Sequence, residues 1–67
     1  MEKPLSYAKR VIRSGTHPMM VIEPGAYGTF WLHDADYRML DCKAFASKEA
    51  AETFRSKIIE KAVRLAA

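Results

Sequence analysis

The side chains of this chain best suited to acid–base chemistry lie close together, at His33, Asp34 and Asp36. An imidazole beside a carboxylate can move a proton during a reaction. The two aspartates also flank a single alanine between apolar runs, and Asp favours turns because its side chain accepts hydrogen bonds from nearby amides. The sequence shows no nucleophile together with a base that could orient it. The three glycines are dispersed along the chain and do not form a phosphate-binding loop. We therefore expect a protein that is not an enzyme.

The potential metal ligands are scattered along the chain. His17, His33 and Cys42 lack the close paired spacing of structural zinc sites, so we expect neither a metal nor another cofactor. Cys42 is the one cysteine, and a lone thiol suits a reducing compartment. We expect it to be a small core residue. A chain of 67 residues is expected to form one domain, residues 1–67, of limited stability.

No apolar run approaches the roughly 18 residues that a membrane span needs, and residues 1–4 lack the apolar run of a signal peptide. These features predict a cytoplasmic protein of a bacterium or of its virus, with no membrane partner.

Charge is distributed unevenly along the chain. Residues 1–16 have a net charge of +3 and residues 45–67 of +2, whereas residues 17–44 have −2. The bases form two helical patches, Lys57, Lys61 and Arg64 in one and Lys9, Arg10 and Arg13 in the other. Each patch is explained by a solvated helix face, or by a landing site for phosphates or an acidic protein. Arg55 interrupts an apolar arc, and we expect it to extend along the core edge or to pair with Asp41.

Two helices are predicted at the ends of the chain. Pro4 suits the first position of a helix of about ten residues, and Gly15 suits its left-handed C-terminal cap. The apolar residues of this first helix are Leu5, Ala8, Val11 and Ile12. Ser47 is a suitable N-cap for a second helix that runs to about Leu65.

Three short apolar runs between the helices predict an antiparallel meander of strands 19–23, 27–33 and 37–43. Pro24 and Gly25 favour a type II turn over residues 23–26, and residues 34–36 supply the second turn. The predicted fold class is α+β, in the order α-β-β-β-α. It consists of a three-stranded antiparallel meander with a short N-terminal helix and a long C-terminal amphipathic helix.

Alternation along these strands predicts two apolar sheet faces. One face is expected to form the core, with Met20, Ile22, Phe30, Leu32, Leu40 and Cys42 against Ala51, Phe54, Ile58, Ala62 and Leu65 of the second helix. The other collects Met19, Val21, Tyr27, Thr29, Trp31, His33, Tyr37 and Met39. That second face is too apolar to stay bare on a small monomer. The first helix, a second copy of the chain, another protein or a nucleic acid could cover it.

Part of the chain resembles known modules. The segments Tyr37-Arg38-Met39-Leu40 and Phe45-Ala46-Ser47-Lys48-Glu49-Ala50-Ala51 resemble the last strand and helix start of the arm-type DNA-binding domain of phage integrases. That resemblance implies DNA reading by a basic sheet, whereas the strands here carry only Arg38 and Lys43 as bases. In size and form the chain is also similar to phage and mobile-element inhibitors, including anti-CRISPR proteins. This similarity implies an inhibitor that occupies the surface of a host complex.

We therefore predict a small protein-binding module, whose partner is another protein or a nucleoprotein complex. The predicted apolar anchors are Tyr27, Trp31, Tyr37 and Met39, because aromatic and Met side chains are enriched at interfaces. Lys57, Lys61 and Arg64 are predicted to steer association, and Lys9, Arg10 and Arg13 form a secondary basic patch. The alternative is a small DNA- or RNA-binding domain that uses the basic helix faces. A homodimer through the aromatic face is a further alternative.

Overall fold

The computed structural model describes residues 1–66. Helix α1 (Pro4–Arg13) is followed by strands β1 (Val21–Pro24) and β2 (Phe30–His33), and helix α2 (Lys48–Ala66) comes last. The two strands form one antiparallel sheet, with Ile22 opposite Leu32. The α+β class therefore agrees with the sequence, and the number of strands does not.

Helix α1 ends as its sequence predicts. Gly15 adopts a left-handed φ of 86° just beyond the last turn. Its amide bonds the carbonyl of Ile12 at 3.0 Å, and the amide of Thr16 bonds the carbonyl of Val11 at 3.2 Å. These two bonds are the pair of a Schellman motif, which satisfies carbonyls that the helix end leaves free.

Helix α2 begins at the predicted cap. The Ser47 hydroxyl accepts a hydrogen bond from the amide of Ala50 at 3.1 Å. Ala51 and Ala62 are completely buried, so α2 approaches its neighbours closely along this side. Leu65 was predicted on the same apolar arc, but it is exposed, because it lies in the last turn.

Both helices pack on one side of the sheet. Helix α1 makes its main contacts with α2, and the buried core cluster joins Tyr7 of α1 to Met20, Leu32 and Leu40. The partly buried residues packed against this core are Val11, Ile22, Cys42, Phe45, Phe54, Ile58 and Ile59. A first helix lying across the opposite, aromatic face is therefore excluded for the described chain.

The third predicted strand, residues 37–43, is not a regular strand. The segment follows β2 and meets it at two isolated bridges, His33 with Met39 and Phe30 with Phe45. The bridges are three residues apart on β2 but six apart on the segment, so no single register can join them. The excess chain turns away near Asp41, whose amide bonds the carbonyl of Glu2 at 3.0 Å.

The first turn lies three residues later than predicted. Gly25 is extended (φ −113°, ψ −166°), so the predicted type II turn over residues 23–26 is wrong and β1 continues through Pro24. The reversal occurs instead at Ala26–Gly28, and β2 begins at Phe30 rather than at residue 27. Pro24 has a fixed φ, but its ψ can still be extended, and the glycine that follows can be extended too. Pairing with β2 selects this extended conformation.

The outer edge of β1 is partly blocked. Phe30 and Leu32 direct their backbone groups to the segment after residue 37, so the alternating pattern leaves Ile22 and Pro24 of β1 facing away from β2. Pro24 has no amide hydrogen to offer at this edge. The carbonyl of Met20 accepts a hydrogen bond of 3.1 Å from the Arg55 guanidinium. Arg55 therefore protects a sheet edge, and the predicted pairing with Asp41 is not observed.

Candidate functional site

One face of the hairpin points away from both helices, and we call it the outer face. It carries Val21 and Glu23 of β1 opposite His33 and Trp31 of β2. Met39 extends this row because it bridges to His33. Every one of these side chains is at least partly exposed, whereas Met20 and Leu32 on the inner face are buried.

Trp31 is positioned by the glycine that precedes the turn. A Cβ atom at Gly25 would lie 2.3 Å from the indole Nε1 and 2.9 Å from the Thr29 hydroxyl. The absence of a side chain at Gly25 therefore lets the indole lie against the backbone. This contact half-buries Trp31 and fixes its ring on the outer face near the first turn.

The first turn places Tyr27 at its tip. Tyr27 (φ 57°, ψ 36°) and Gly28 (φ 70°) are both left-handed, and the amide of Thr29 bonds the carbonyl of Ala26 at 3.2 Å. This geometry is a type I′ turn, whose first central position favours Asn, Asp or Gly. Tyr27 is 102% exposed, so it contacts solvent on all sides. An L residue with a Cβ costs about 1–2 kcal/mol in this conformation.

The second turn also holds a tyrosine, Tyr37, in a left-handed and exposed position. The amide of Tyr37 bonds the carbonyl of Asp34 at 3.0 Å, and the amide of Asp34 bonds the carbonyl of Arg38 at 2.9 Å. The result is a three-residue hairpin loop whose last residue is left-handed, and Tyr37 has a φ of 59°. Tyr37 is 68% exposed. The Asp34 carboxylate accepts bonds from the amides of Asp36 and Arg38, the turn role that the sequence predicts.

Two methionines complete the exposed apolar set. Met19 is 59% exposed and Met39 is 38% exposed. Met19 lies next to buried Met20 and lines a groove with Tyr7 and Val11 of α1, so the predicted place of Met19 on the outer face is not observed. Of the predicted anchors, Trp31 and Met39 lie on the outer face, and Tyr27 and Tyr37 lie in the turns at the two ends of β2.

The predicted basic residues lie elsewhere. Lys57, Lys61 and Arg64 are all exposed on α2, which packs on the inner side of the sheet. They therefore belong to the helical side of the molecule and do not share a surface with Trp31 and Met39. In the secondary patch Arg13 is exposed and Lys9 is half-buried.

Arg10 of that patch is engaged within the chain. Its guanidinium makes two hydrogen bonds to the Glu2 carboxylate, at 2.9 and 3.1 Å, and lies 5.6 Å from the centre of the Tyr7 ring. The bond from Arg10 lowers the pKa of Glu2, and the same bond raises the pKa of Arg10. The sequence pattern does not predict this pair, because Glu2 and Arg10 are eight residues apart and Glu2 precedes the helix.

Tyr7 is a second residue that patterning missed. It is buried, and its hydroxyl donates to the carbonyl of Met19 at 3.0 Å and lies 3.2 Å from the Met19 amide. It thereby fixes the chain just before β1. Its position one residue before Ala8 in α1 was the available signal, because both lie within reach of one helix face.

A polar groove of about 530 Å³ lies between α1 and the second turn, lined among others by Glu2, Arg10, Asp34, Asp36 and Arg38. Its charges are largely committed to each other or to backbone amides. Within residues 1–66 no group of three or more His, Cys, Asp or Glu is arranged to hold a metal ion. The helices of the same range include none with the length and apolar character to cross a membrane.

Comparison of the chain with protein-family models, with curated proteins and with solved structures finds no match. The site is therefore interpreted from its own geometry.

Proposed function

We propose that this chain is a small protein-binding module of the cytosol that docks through its outer face and the two turn tyrosines. It works by occupying the surface of a partner and has no catalytic step. The observation that supports this is the exposure of Tyr27 and Tyr37 in the turns at the two ends of β2 and of Met39 beside that strand, while the buried core lies on the inner side of the sheet.

The amount of exposed surface supports the same proposal. The chain exposes 4645 Å², whereas a folded monomer of 7.6 kDa is expected to expose about 4300 Å². Tyr27, Tyr37 and Met19, each more than half exposed, contribute to this surface. Aromatic rings and Met are the residue types enriched at protein interfaces, and exposed apolar patches of a few hundred Å² mark interaction sites.

The role of an inhibitor follows from this mode of action. A module that covers a surface of a protein or nucleoprotein complex blocks whatever that surface does, as expected of phage-type and anti-CRISPR-like inhibitors. The basic helices would then steer the module towards an acidic or phosphate-bearing complex before docking.

The alternative function is nucleic-acid binding by α2. Lys57, Lys61 and Arg64 are exposed, and within residues 1–66 the one ion pair is that of Arg10 with Glu2. A row of uncommitted bases on a helix suits phosphates, and affinity would then fall steeply with salt.

Matched variants separate the two functions. Proteins captured from the native host on the wild type are purified and titrated against the wild type, Trp31→Ala and Lys57→Glu, and random-sequence DNA and RNA are titrated in parallel. We expect a purified partner whose affinity falls at least tenfold with Trp31→Ala and depends on salt far less steeply than nucleic-acid binding does. Nucleic-acid binding that Lys57→Glu and salt abolish, with Trp31→Ala unaffected, would establish the alternative. Sedimentation of the wild type alone reports whether the outer face makes a homodimer instead.

A further inference from the structure

Both turns that flank β2 carry a tyrosine where hairpin chemistry favours Gly or Asn. Tyr27 holds the first central position of the type I′ turn, and Tyr37 holds the left-handed position of the three-residue loop. Left-handed conformations are uncommon for residues that carry a Cβ, and bulky side chains adopt them least readily. The same unfavourable choice thus occurs at both ends of one strand.

Within residues 1–66 neither turn tyrosine has a side-chain hydrogen bond, and the His33 Nδ1 lies 3.2 Å from the carbonyl oxygen of Tyr37. Tyr27 is 102% exposed and Tyr37 is 68% exposed. Among the described residues the tyrosine hydroxyl that makes hydrogen bonds is that of Tyr7, and neither turn tyrosine uses its own. Backbone strain that side-chain contacts do not offset is characteristic of residues that have a functional role. We therefore expect the two tyrosine rings to contact a partner molecule rather than other parts of this chain.

The charge of this part of the molecule indicates what the rings would meet. Residues 17–44 have a net charge of −2, in contrast to the positive segments on either side. Glu23 lies directly opposite Trp31 on the outer face, whereas Asp36, one residue before Tyr37, lines the groove that also contains Arg10 and Arg38. Aromatic faces attract cations, and neighbouring carboxylates strengthen that preference.

The spacing of the two turns indicates the shape of the partner. β2 has four residues, which span about 13 Å at 3.3 Å per residue. Tyr27 lies three residues before this strand and Tyr37 four residues after it, so the outer face between them accommodates at least four residues of an extended chain. The edge of β1 is blocked by Pro24 and Arg55, so such a chain would lie across the face rather than add a strand at that edge.

We propose that Tyr27 and Tyr37 are the recognition residues of this surface, and that they receive an extended segment of a partner protein that carries Lys or Arg. This inference rests on the proposed protein-binding function and specifies the chemistry of the partner. The tyrosines supply ring faces for the cationic side chains, Glu23 supplies the opposite charge, and Trp31 and Met39 form the apolar floor between them.

The first experiment measures stability and requires no partner. Tyr27→Asn and Tyr37→Gly each insert the residue that the turn prefers, and we expect each to raise the melting temperature by about 4 °C or more. Tyr27→Phe and Tyr37→Phe keep the ring and the strain, so their melting temperatures should stay at the wild-type value. Unchanged or lower melting temperatures in Tyr27→Asn and Tyr37→Gly would remove the strain and overturn the inference.

The second experiment measures recognition with a library of random linear peptides displayed on phage. The library is selected on the wild type, and the enriched peptides are synthesised and titrated. We expect enriched peptides with an excess of Lys and Arg, and at least a tenfold loss of affinity in the Tyr27→Asn/Tyr37→Gly double variant. The Tyr→Phe pair should keep most of the affinity, and Leu65→Asn, an exposed change on α2, should keep all of it.

The outcomes separate this inference from the proposed function. Peptides that need Trp31 but bind the double variant as well as the wild type would refute the role of the tyrosines and leave the protein-binding function intact. Enriched acidic or uncharged peptides would refute the cationic partner. Failure to enrich any peptide would refute the extended segment and leave docking on a folded protein surface intact. Self-association of the wild type that the double variant abolishes would refute both the inference and the docking of a different protein here.

Discussion

The two sides of the sheet follow different rules. On the inner side local sequence and fold agree, since Ser47 caps α2, Gly15 ends α1 and the buried alanines let the helices approach. On the outer side and in the turns that flank it they conflict, since tyrosines occupy left-handed turn positions and Met39 stays exposed. Agreement among local signals is what specifies a stable fold. Local conflict without compensation marks the part of a protein that serves something other than its own stability.

The largest expected difference between the two sides comes from truncating one apolar residue on each. Leu32→Ala removes a completely buried side chain and should cost about 2–5 kcal/mol, a large part of the stability of so small a domain. Met39→Ala, on the outer face, should cost well under about 1 kcal/mol. Denaturant unfolding measures both. Equal costs would mean that the outer face is packed in solution.

A second comparison concerns glycines on either side of the first reversal. Gly25→Ala should cost about 1–3 kcal/mol, because the added Cβ would lie 2.3 Å from the Trp31 indole nitrogen. Gly28→Ala meets no atom within 4 Å and should cost about 1–2 kcal/mol through its left-handed φ alone. The NMR resonance of the indole N–H should shift in Gly25→Ala and stay in place in Gly28→Ala. A shift of equal size in both variants would contradict the conclusion that Gly25 positions the indole ring.

Arg55 tests the protection of the sheet edge, because it reaches from α2 to the backbone of Met20 just before β1. Arg55→Met keeps the apolar stem but removes the hydrogen bond, and should cost about 1–2 kcal/mol. It should also promote association through the freed sheet edge, which light scattering detects. Arg64→Met, an exposed change on the same helix, serves as the control and should do neither.

The smallest expected effect is a pH dependence at the Glu2–Arg10 pair. The pKa of Glu2 is lowered in the folded chain by its bond to Arg10, so its contribution is present above the ordinary carboxyl pKa. That contribution is lost as the pH falls through the lowered pKa. The melting-temperature difference between the wild type and Glu2→Gln should therefore be small at neutral pH and vanish in acid. A difference that grows in acid would exclude the pair as its source.

The helices could be predicted from sequence because their signals are local. Pro4, Gly15 and Ser47 act on backbone groups within one turn, and the structure uses each as expected. The partition into buried Met20, Leu32 and Leu40 and exposed Met19 and Met39 was also predictable, because alternation survives an error in strand ends.

The turn and the third strand could not be predicted in the same way. Pro24 and Gly25 favour a turn locally, but pairing with β2 keeps both extended. The segment after Tyr37 has strand-like residues, yet its two bridges require different registers, and register is a property of the tertiary structure. The exposure of Tyr27, Tyr37 and Met39 was predictable from composition and alternation. The left-handed conformation of Tyr27 and Tyr37 could not be predicted, because nothing in the local sequence favours a tyrosine at these turn positions.

Trp31 is the single tryptophan of the chain, and Gly25 holds it half-buried on the outer face. Its fluorescence is therefore an intrinsic reporter, without any label. Docking of a partner would move the indole into a drier setting and shift its emission to shorter wavelengths. Unfolding would expose the same ring and shift the emission the other way, so one optical signal distinguishes a bound molecule from a denatured one.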